Sequence, residues 1–184
     1  MSQNSTTSPL SMKERCILLL LPAFGILLVD LASKEIVFRA AGAVIRQGRV
    51  VSAHVIKVIP GFFQLQCVMN PGAFSGWFAG WYWFLVVISI AALIAIGAYV
   101  FLGRPTGPLF LFCLGCIAGG TAGNLYDRLV YGAVRDFFRF FIRLPGGKEL
   151  TWPNFNVADA SICIGVGLWI FLEFYVGRKQ QTGG

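Results

Sequence analysis

Four long apolar runs limit what this chain can become. Cys16 to Val29 is apolar, and the pattern continues through Asp30 to about Phe38. Trp81 to Leu102 carries no charge, nor does Leu109 to Tyr126, and Ala160 to Phe174 is interrupted only by Glu173. Roughly 20 mainly apolar residues cross a bilayer as a helix, which satisfies its own backbone hydrogen bonds where water cannot. The runs therefore predict an α-helical membrane protein with four transmembrane helices in a single domain, residues 12–177. A polar, Ser/Thr-rich tail (1–11), expected to be disordered, precedes it, and a short tail (178–184) follows. Only 12% of the chain is charged, against about 25% in soluble domains, and mean hydropathy is +0.72.

Lys13 and Arg15 ahead of the first run, with Leu31-Ala32-Ser33 behind it, also fit a cleaved secretory signal. Continuation of the helical pattern past Asp30 favours a retained span. Cys16 precedes the apolar run, so it is not placed as a lipoprotein cysteine. Four spans put both termini on one side. Five of the 15 lysines and arginines, namely Lys13, Arg15, Arg104, Arg178 and Lys179, lie on that side, and the other ten lie on the opposite side, Lys34 at the end of the first span and nine in two long loops, 39–76 and 128–158. The raw count opposes cytoplasmic termini, whereas the five sit in the short flanks where positive charge is most informative. Charge alone leaves the topology open. The net charge of +7 fits contact with anionic phospholipid headgroups, and no motif points to nucleic acid.

The loops have their own patterns. In VIKVIPGFFQLQCVMN, period-two alternation around Pro60-Gly61 predicts short strands over residues 55–69. In the second loop, LPGGKEL signals a turn beside FFRFFIR, which reads as an edge hairpin or an interfacial segment with Phe in lipid and Arg at headgroups. Gly115, Gly119 and Gly123 form a small-xxx-small ladder that predicts close helix packing. Cys113 and Cys116 form a CxxC without a second pair, and the only histidine is His54. A metal site is therefore not expected, nor a cofactor.

The acids carry the functional signal. The four aspartates, Asp30, Asp127, Asp136 and Asp159, all fall at span ends or in flanking segments on one side. A charge at mid-membrane costs about 2.5–3.5 kcal/mol on insertion scales, and less near the surface. The pattern predicts a polar site just inside one interface. Asp30 and Lys34 are four apart on one helix face, as are Asn124 and Arg128 with Asp127 between them. Asn156 suits the N-cap of the fourth helix with Asp159 at N3. Asn70 precedes a Pro71-Gly72 turn. Two carboxylates sharing a site do not both ionise readily. One then takes a proton from water while the protonated partner polarises a carbonyl. No Ser-His pair, HExxH or phosphate-binding glycine loop competes. Two other classes are compatible: a small ion-coupled transporter using the acids as a relay, which would place them at mid-membrane depth, and a non-catalytic scaffold, which would tolerate Asn at Asp136 or Asp159.

The sequence resembles lipoprotein signal peptidase (signal peptidase II) over about residues 16–176. VDLASK is similar to the family's DQxTK block, with Leu31 where Gln is common. NPGAFSG resembles its N-x-G-A block, departing at Phe74-Ser75. GNLYDR, VRDF and FNVADASI match the two strongest blocks in order and spacing. The resemblance implies an aspartic endopeptidase of the bacterial inner membrane that removes the signal peptide from diacylglyceryl-modified prolipoproteins, cutting before the lipid-bearing cysteine. It implies four helices, cytoplasmic termini and a small β-rich cradle on the outer side. It assigns the catalytic pair to Asp136 and Asp159, a choice over Asp127 that spacing alone does not make. Asp127 becomes a supporting residue beside Arg128, and Asp30, Lys34, Asn70, Gly72, Asn124, Arg128 and Asn156 become polar positions around the site.

Overall fold

A computed structural model describes residues 10–72, 81–102 and 107–182, with side chains described as far as residue 174. Most of the tail expected to be disordered (residues 1–9) and the Phe74-Ser75 departure lie outside the described residues. Four helices are long and apolar enough to cross a membrane. They are α1 (Met12–Ala40), α2 (Tyr82–Phe101), α3 (Pro108–Tyr131) and α4 (Val157–Thr182). Half of α3's apolar window is buried, against 11–17% for the others, so α3 is the central helix. It packs on α1, α4 and α2, while α2 leans on α3 and α1.

Local chemistry sets the helix ends. Ser11 and Glu14 form a capping box at the start of α1, each satisfying a backbone N–H that the first turn leaves unpaired. Pro108 occupies the first turn of α3, and Gly132 ends it in the left-handed region at φ 73°, a conformation that costs a residue without Cβ little. That turn reverses the chain into the sheet.

The strands are β1 (Val44–Arg46), β2 (Arg49–Ser52), β3 (Ile56–Ile59), β4 (Phe63–Asn70), β5 (Val134–Arg143) and β6 (Glu149–Thr151). β1 and β2 form a hairpin closed by Gln47-Gly48, both with positive φ, as a type I′ turn requires. The other four make an antiparallel sheet in the order β3-β4-β5-β6. The strands expected over 55–69 are β3 and β4. The LPGGKEL stretch closes a hairpin between β5 and β6, which selects the hairpin over the interfacial segment. The β1–β2 hairpin was not foreseen.

The side-chain alternation of β5 organises the site. Phe137 joins Val37, Phe38, Ala41, Cys67, Met69 and Ala133 in a core under the sheet, and burial pushes the Cys67 thiol up to about 11. Asp136 points to the opposite face, paired across the ladder with Val68. The glycine ladder draws α1 against α3. A Cβ at Gly115 would lie 2.5 Å from Pro22, and one at Gly119 would lie 2.5 Å from the Ala23 carbonyl oxygen. At Gly123 it would run into the Asp30 carboxylate.

Candidate active site

Each polar group reaches the site by a short local device. The segment before α4 docks on β5 through Phe155, whose carbonyl accepts from the N–H groups of Phe137 and Phe138. This sets Asn156 beside Asp136. Asn156 then caps α4: the Asp159 N–H donates to Asn156 Oδ1 at 2.9 Å, and the Asn156 N–H donates to Asp159 Oδ2 at 3.2 Å. This reciprocal box fixes the Asp159 carboxylate at the first turn. Register brings Asn70 diagonally across from Asp136, since Asn70 pairs with Val134 and Val68 with Asp136.

The two aspartates are joined through asparagine amides. Asn156 Nδ2 donates to Asp136 Oδ1 at 2.7 Å, and Asn70 Nδ2 donates to Asp136 Oδ2 at 3.0 Å. Asn124 Nδ2 donates to Asp159 Oδ1 at 2.7 Å, while its Oδ1 accepts from Asn156 Nδ2 at 3.1 Å. Asp136 is 1% exposed. Burial, and then the negative charge of Asp159, push its carboxyl up to about 7. Asp159 is half-buried and lines a cavity of about 310 Å³ with Asn70, Gly72, Asn124, Asn154 and Arg128. Val134 of β5 and Ile162 and Cys163 of α4 form its apolar side, and Ser89 of α2 also lines it.

A charged layer lies behind this pair. Lys34 donates to Asp30 Oδ2 at 2.7 Å and to Asn124 Oδ1 at 3.1 Å, and its ammonium is 3.1 Å from Asp127 Oδ2. Asp30 Oδ1 accepts from the Ala158 N–H, tying α1 to the start of α4. Arg128 donates to the Gly72 carbonyl at 3.1 Å and to the Asn124 carbonyl at 3.4 Å. Gly72 in turn donates its N–H to Asn70 Oδ1. The four aspartates, with Lys34, Asn70, Gly72, Asn124, Arg128 and Asn156, thus fall in one hydrogen-bonded network. Among the described residues no buried side-chain polar atom lacks a partner, as low-dielectric surroundings demand.

Asp127 forms its ion pairs with Lys34 and Arg135. Its carboxylate accepts from the Arg135 backbone N–H at 2.9 Å and from Arg135 Nε and Nη2 at 3.1 and 2.9 Å. The i, i+1 neighbours Asp127 and Arg128 point apart on a helix, whereas the Gly132 turn folds β5 back over the end of α3. Arg135 was missed, although it stands next to Asp136 in VRDF; it also reaches Glu35 on α1 at 3.2 Å. Among the described residues no cluster suited to a metal ion occurs, and Cys113 and Cys116 are buried free thiols.

A profile of the family described as Signal peptidase (SPase) II matches residues 22–175. The chain belongs to this family. It is 40% identical over 129 residues to a lipoprotein signal peptidase of Symbiobacterium thermophilum, covering 69% of this chain and 80% of that one. It is 36% identical over 166 residues to a lipoprotein signal peptidase of a Sulfurihydrogenibium species, covering 87% and 93%. A solved bacterial membrane enzyme superposes with a TM-score of 0.67 at 27% identity, covering 84% of this chain and 86% of that chain. The signal peptidase II chain is therefore a multi-pass membrane protease of lipoprotein processing, and the transporter alternative has no support. The buried asparagine–aspartate network is what this member of the family builds at one end of its helices.

Proposed function

We propose that this signal peptidase II is an aspartic endopeptidase that cleaves diacylglyceryl-modified prolipoproteins just before the lipid-bearing cysteine, with Asp136 and Asp159 as its catalytic pair. The observation that carries the reading is the pair itself: two carboxyl groups bridged by Asn156, one buried with its carboxyl pushed up to about 7, the other lining the cavity. Asp159 accepts a proton from water as the water oxygen bonds to the scissile carbonyl carbon. Asp136, as the neutral acid, transfers its proton to the carbonyl oxygen, which gives a tetrahedral diol. As the diol collapses, Asp136 takes a hydroxyl proton back, the C–N bond breaks, and the leaving nitrogen of the cysteine takes the proton that Asp159 received from water. General acid–base assistance of this kind contributes typically 10²–10⁴-fold. Asn70, Asn124 and Asn156 orient the carboxylates, and Arg128 holds the Gly72 backbone at the cavity rim.

The single domain, residues 12–177, would sit in the inner membrane with loops 39–76 and 128–158 on the outer side. A lipid anchor would then place the scissile bond at the cavity and raise its effective concentration. The deciding experiment incubates purified protein with a diacylglyceryl-modified prolipoprotein and follows signal-peptide release by mass. Release of the peptide ending just before the modified cysteine is the expected result. Equal kcat/KM on the unmodified precursor would remove the lipid requirement. For the orientation, single-cysteine variants at positions 47 and 147 should label with impermeant reagent in intact spheroplasts. Labelling only after permeabilisation would reverse it.

A further inference from the structure

Lys34 lies in the layer behind the aspartate pair and contacts neither member of it by hydrogen bond, yet it is completely buried. Its three ammonium protons are matched by three acceptors: Asp30 Oδ2, Asp127 Oδ2 and Asn124 Oδ1. The third contact is the informative one. An ion pair with two carboxylates already neutralises the lysine, so the bond to a neutral amide adds geometry rather than charge balance.

A side-chain amide has an accepting end and a donating end of nearly equal size. Asn124 Oδ1 accepts from both Lys34 Nζ and Asn156 Nδ2, at 3.1 Å each, while Asn124 Nδ2 donates to Asp159 Oδ1 at 2.7 Å. Turning this amide over would set its NH₂ against an ammonium that can only donate and against a second NH₂. It would also set its oxygen against the Asp159 carboxylate. A fixed cation at one end thus dictates that an N–H faces Asp159, and polarisation through the amide strengthens that N–H as a donor.

We infer that Lys34 is a positioning residue, which acts through the Asn124 amide to keep Asp159 the ionised, proton-accepting member of the pair. The inference rests on the peptidase reading above. The groups facing Asp159 are Asn124 and Arg128 from α3, Asp136 from β5 and Asn156 at the head of α4, with Lys34 of α1 one amide away. Behind Lys34 stand Asp30 and Asp127, and Arg135 and Glu35 complete the layer. Removing the lysine together with Asp30 takes out one cation and one anion, leaving Asp127 with Arg135, so the layer stays charge-matched.

The test is the pH dependence of kcat for signal-peptide release, with KM and Tm measured alongside, in wild type, in the double variant Lys34→Met/Asp30→Leu and in Asp30→Asn. In the double variant the bell-shaped profile, whose limbs belong to the pair, should move to higher pH by about one unit. That is about a tenfold loss on the acid side, with KM unchanged and activity regained at higher pH. In Asp30→Asn, where Lys34 keeps its charge but loses one counter-ion, the profile should move the other way. This second variant reads the same coupling if the double variant does not fold. A kcat lowered by one factor at all pH values, or a profile unmoved in Asp30→Asn, would overturn the inference while leaving the peptidase reading intact. Absence of cleavage by wild type would overturn both.

Discussion

Asp127 and Arg135 are joined at three points, one through the Arg135 backbone N–H and two through its guanidinium. The contact ties the last turn of α3 to the first residues of β5, and Asp136 is the next residue along. Asp127→Asn removes the charge that holds both Arg135 and Lys34. Breaking one side of a buried ion pair costs about 3–5 kcal/mol. The variant should show a clearly lowered Tm in detergent, with partial activity per folded molecule, since Asp127 bonds to neither Asp136 nor Asp159. A dead Asp127→Asn beside a near-normal Asp136→Asn would move the catalytic assignment to Asp127 with Asp159.

Asp136→Asn and Asp159→Asn should each abolish signal-peptide release, by at least the 10²–10⁴-fold of lost acid–base catalysis, while remaining folded and monodisperse on size exclusion. Groups that act as one unit are strongly non-additive. The double variant should therefore be little slower than either single one. A double variant slower by the product of the two single losses would show that the carboxylates act independently.

Asp136 also makes stability depend on pH. Its carboxyl is raised from 3.8 to about 7 by burial and by Asp159, so between those values the folded protein binds the proton that the unfolded chain has released. Stability from this group is fully present below about pH 3.8 and is lost as pH rises to about 7. At about 1.4 kcal/mol per pH unit the loss is of the order of 4 kcal/mol. Thermal melts in detergent should show wild type losing stability from pH 5 to pH 8, and Asp136→Asn losing much less. Parallel pH slopes for the two proteins would contradict this.

The contact between α1 and α3 can be probed through glycine. A Cβ at Gly119 meets the Ala23 carbonyl oxygen and, at 3.0 Å, its Cα, both backbone atoms that cannot swing aside. Gly119→Ala should cost roughly 1–3 kcal/mol, as overpacking does. Gly97→Ala on α2, where nothing lies within 4 Å of the new atom, should be neutral or slightly stabilising. Equal melting points for the two variants would argue against the close approach.

Contacts between residues three or four apart were legible in the sequence because helix geometry alone sets them. The Asp30–Lys34 pair and the Asn156–Asp159 box are of this kind. The apolar runs likewise gave four spans, since length and hydrocarbon thickness are directly comparable. What stayed hidden depends on strand register and chain reversal. Asp127 finds Arg135 only because Gly132 turns the chain, and no local pattern fixes how far β5 slides after that turn. FFRFFIR suited either a strand or an interfacial segment, because its aromatic and basic residues satisfy both. The β1–β2 hairpin lacked a strong signal, since Gln47-Gly48 is a less usual pair for a turn needing two positive φ angles. The proposal of Asp136 over Asp127 as the catalytic residue rests on the family resemblance.

The cavity beside Asp159 is walled on one side by Ile162 and Cys163 of α4 and by Ser89 of α2, two helices that are both long and apolar enough to span the membrane. A ligand reaching it from that side arrives out of hydrocarbon, so its working concentration is a mole fraction in the bilayer or micelle rather than a molarity in buffer. Adding empty detergent micelles at fixed amounts of enzyme and substrate dilutes that mole fraction. The apparent KM, written per litre of solution, should climb with detergent while kcat stays put. Inhibitors should likewise rank by how they partition as much as by how they fit.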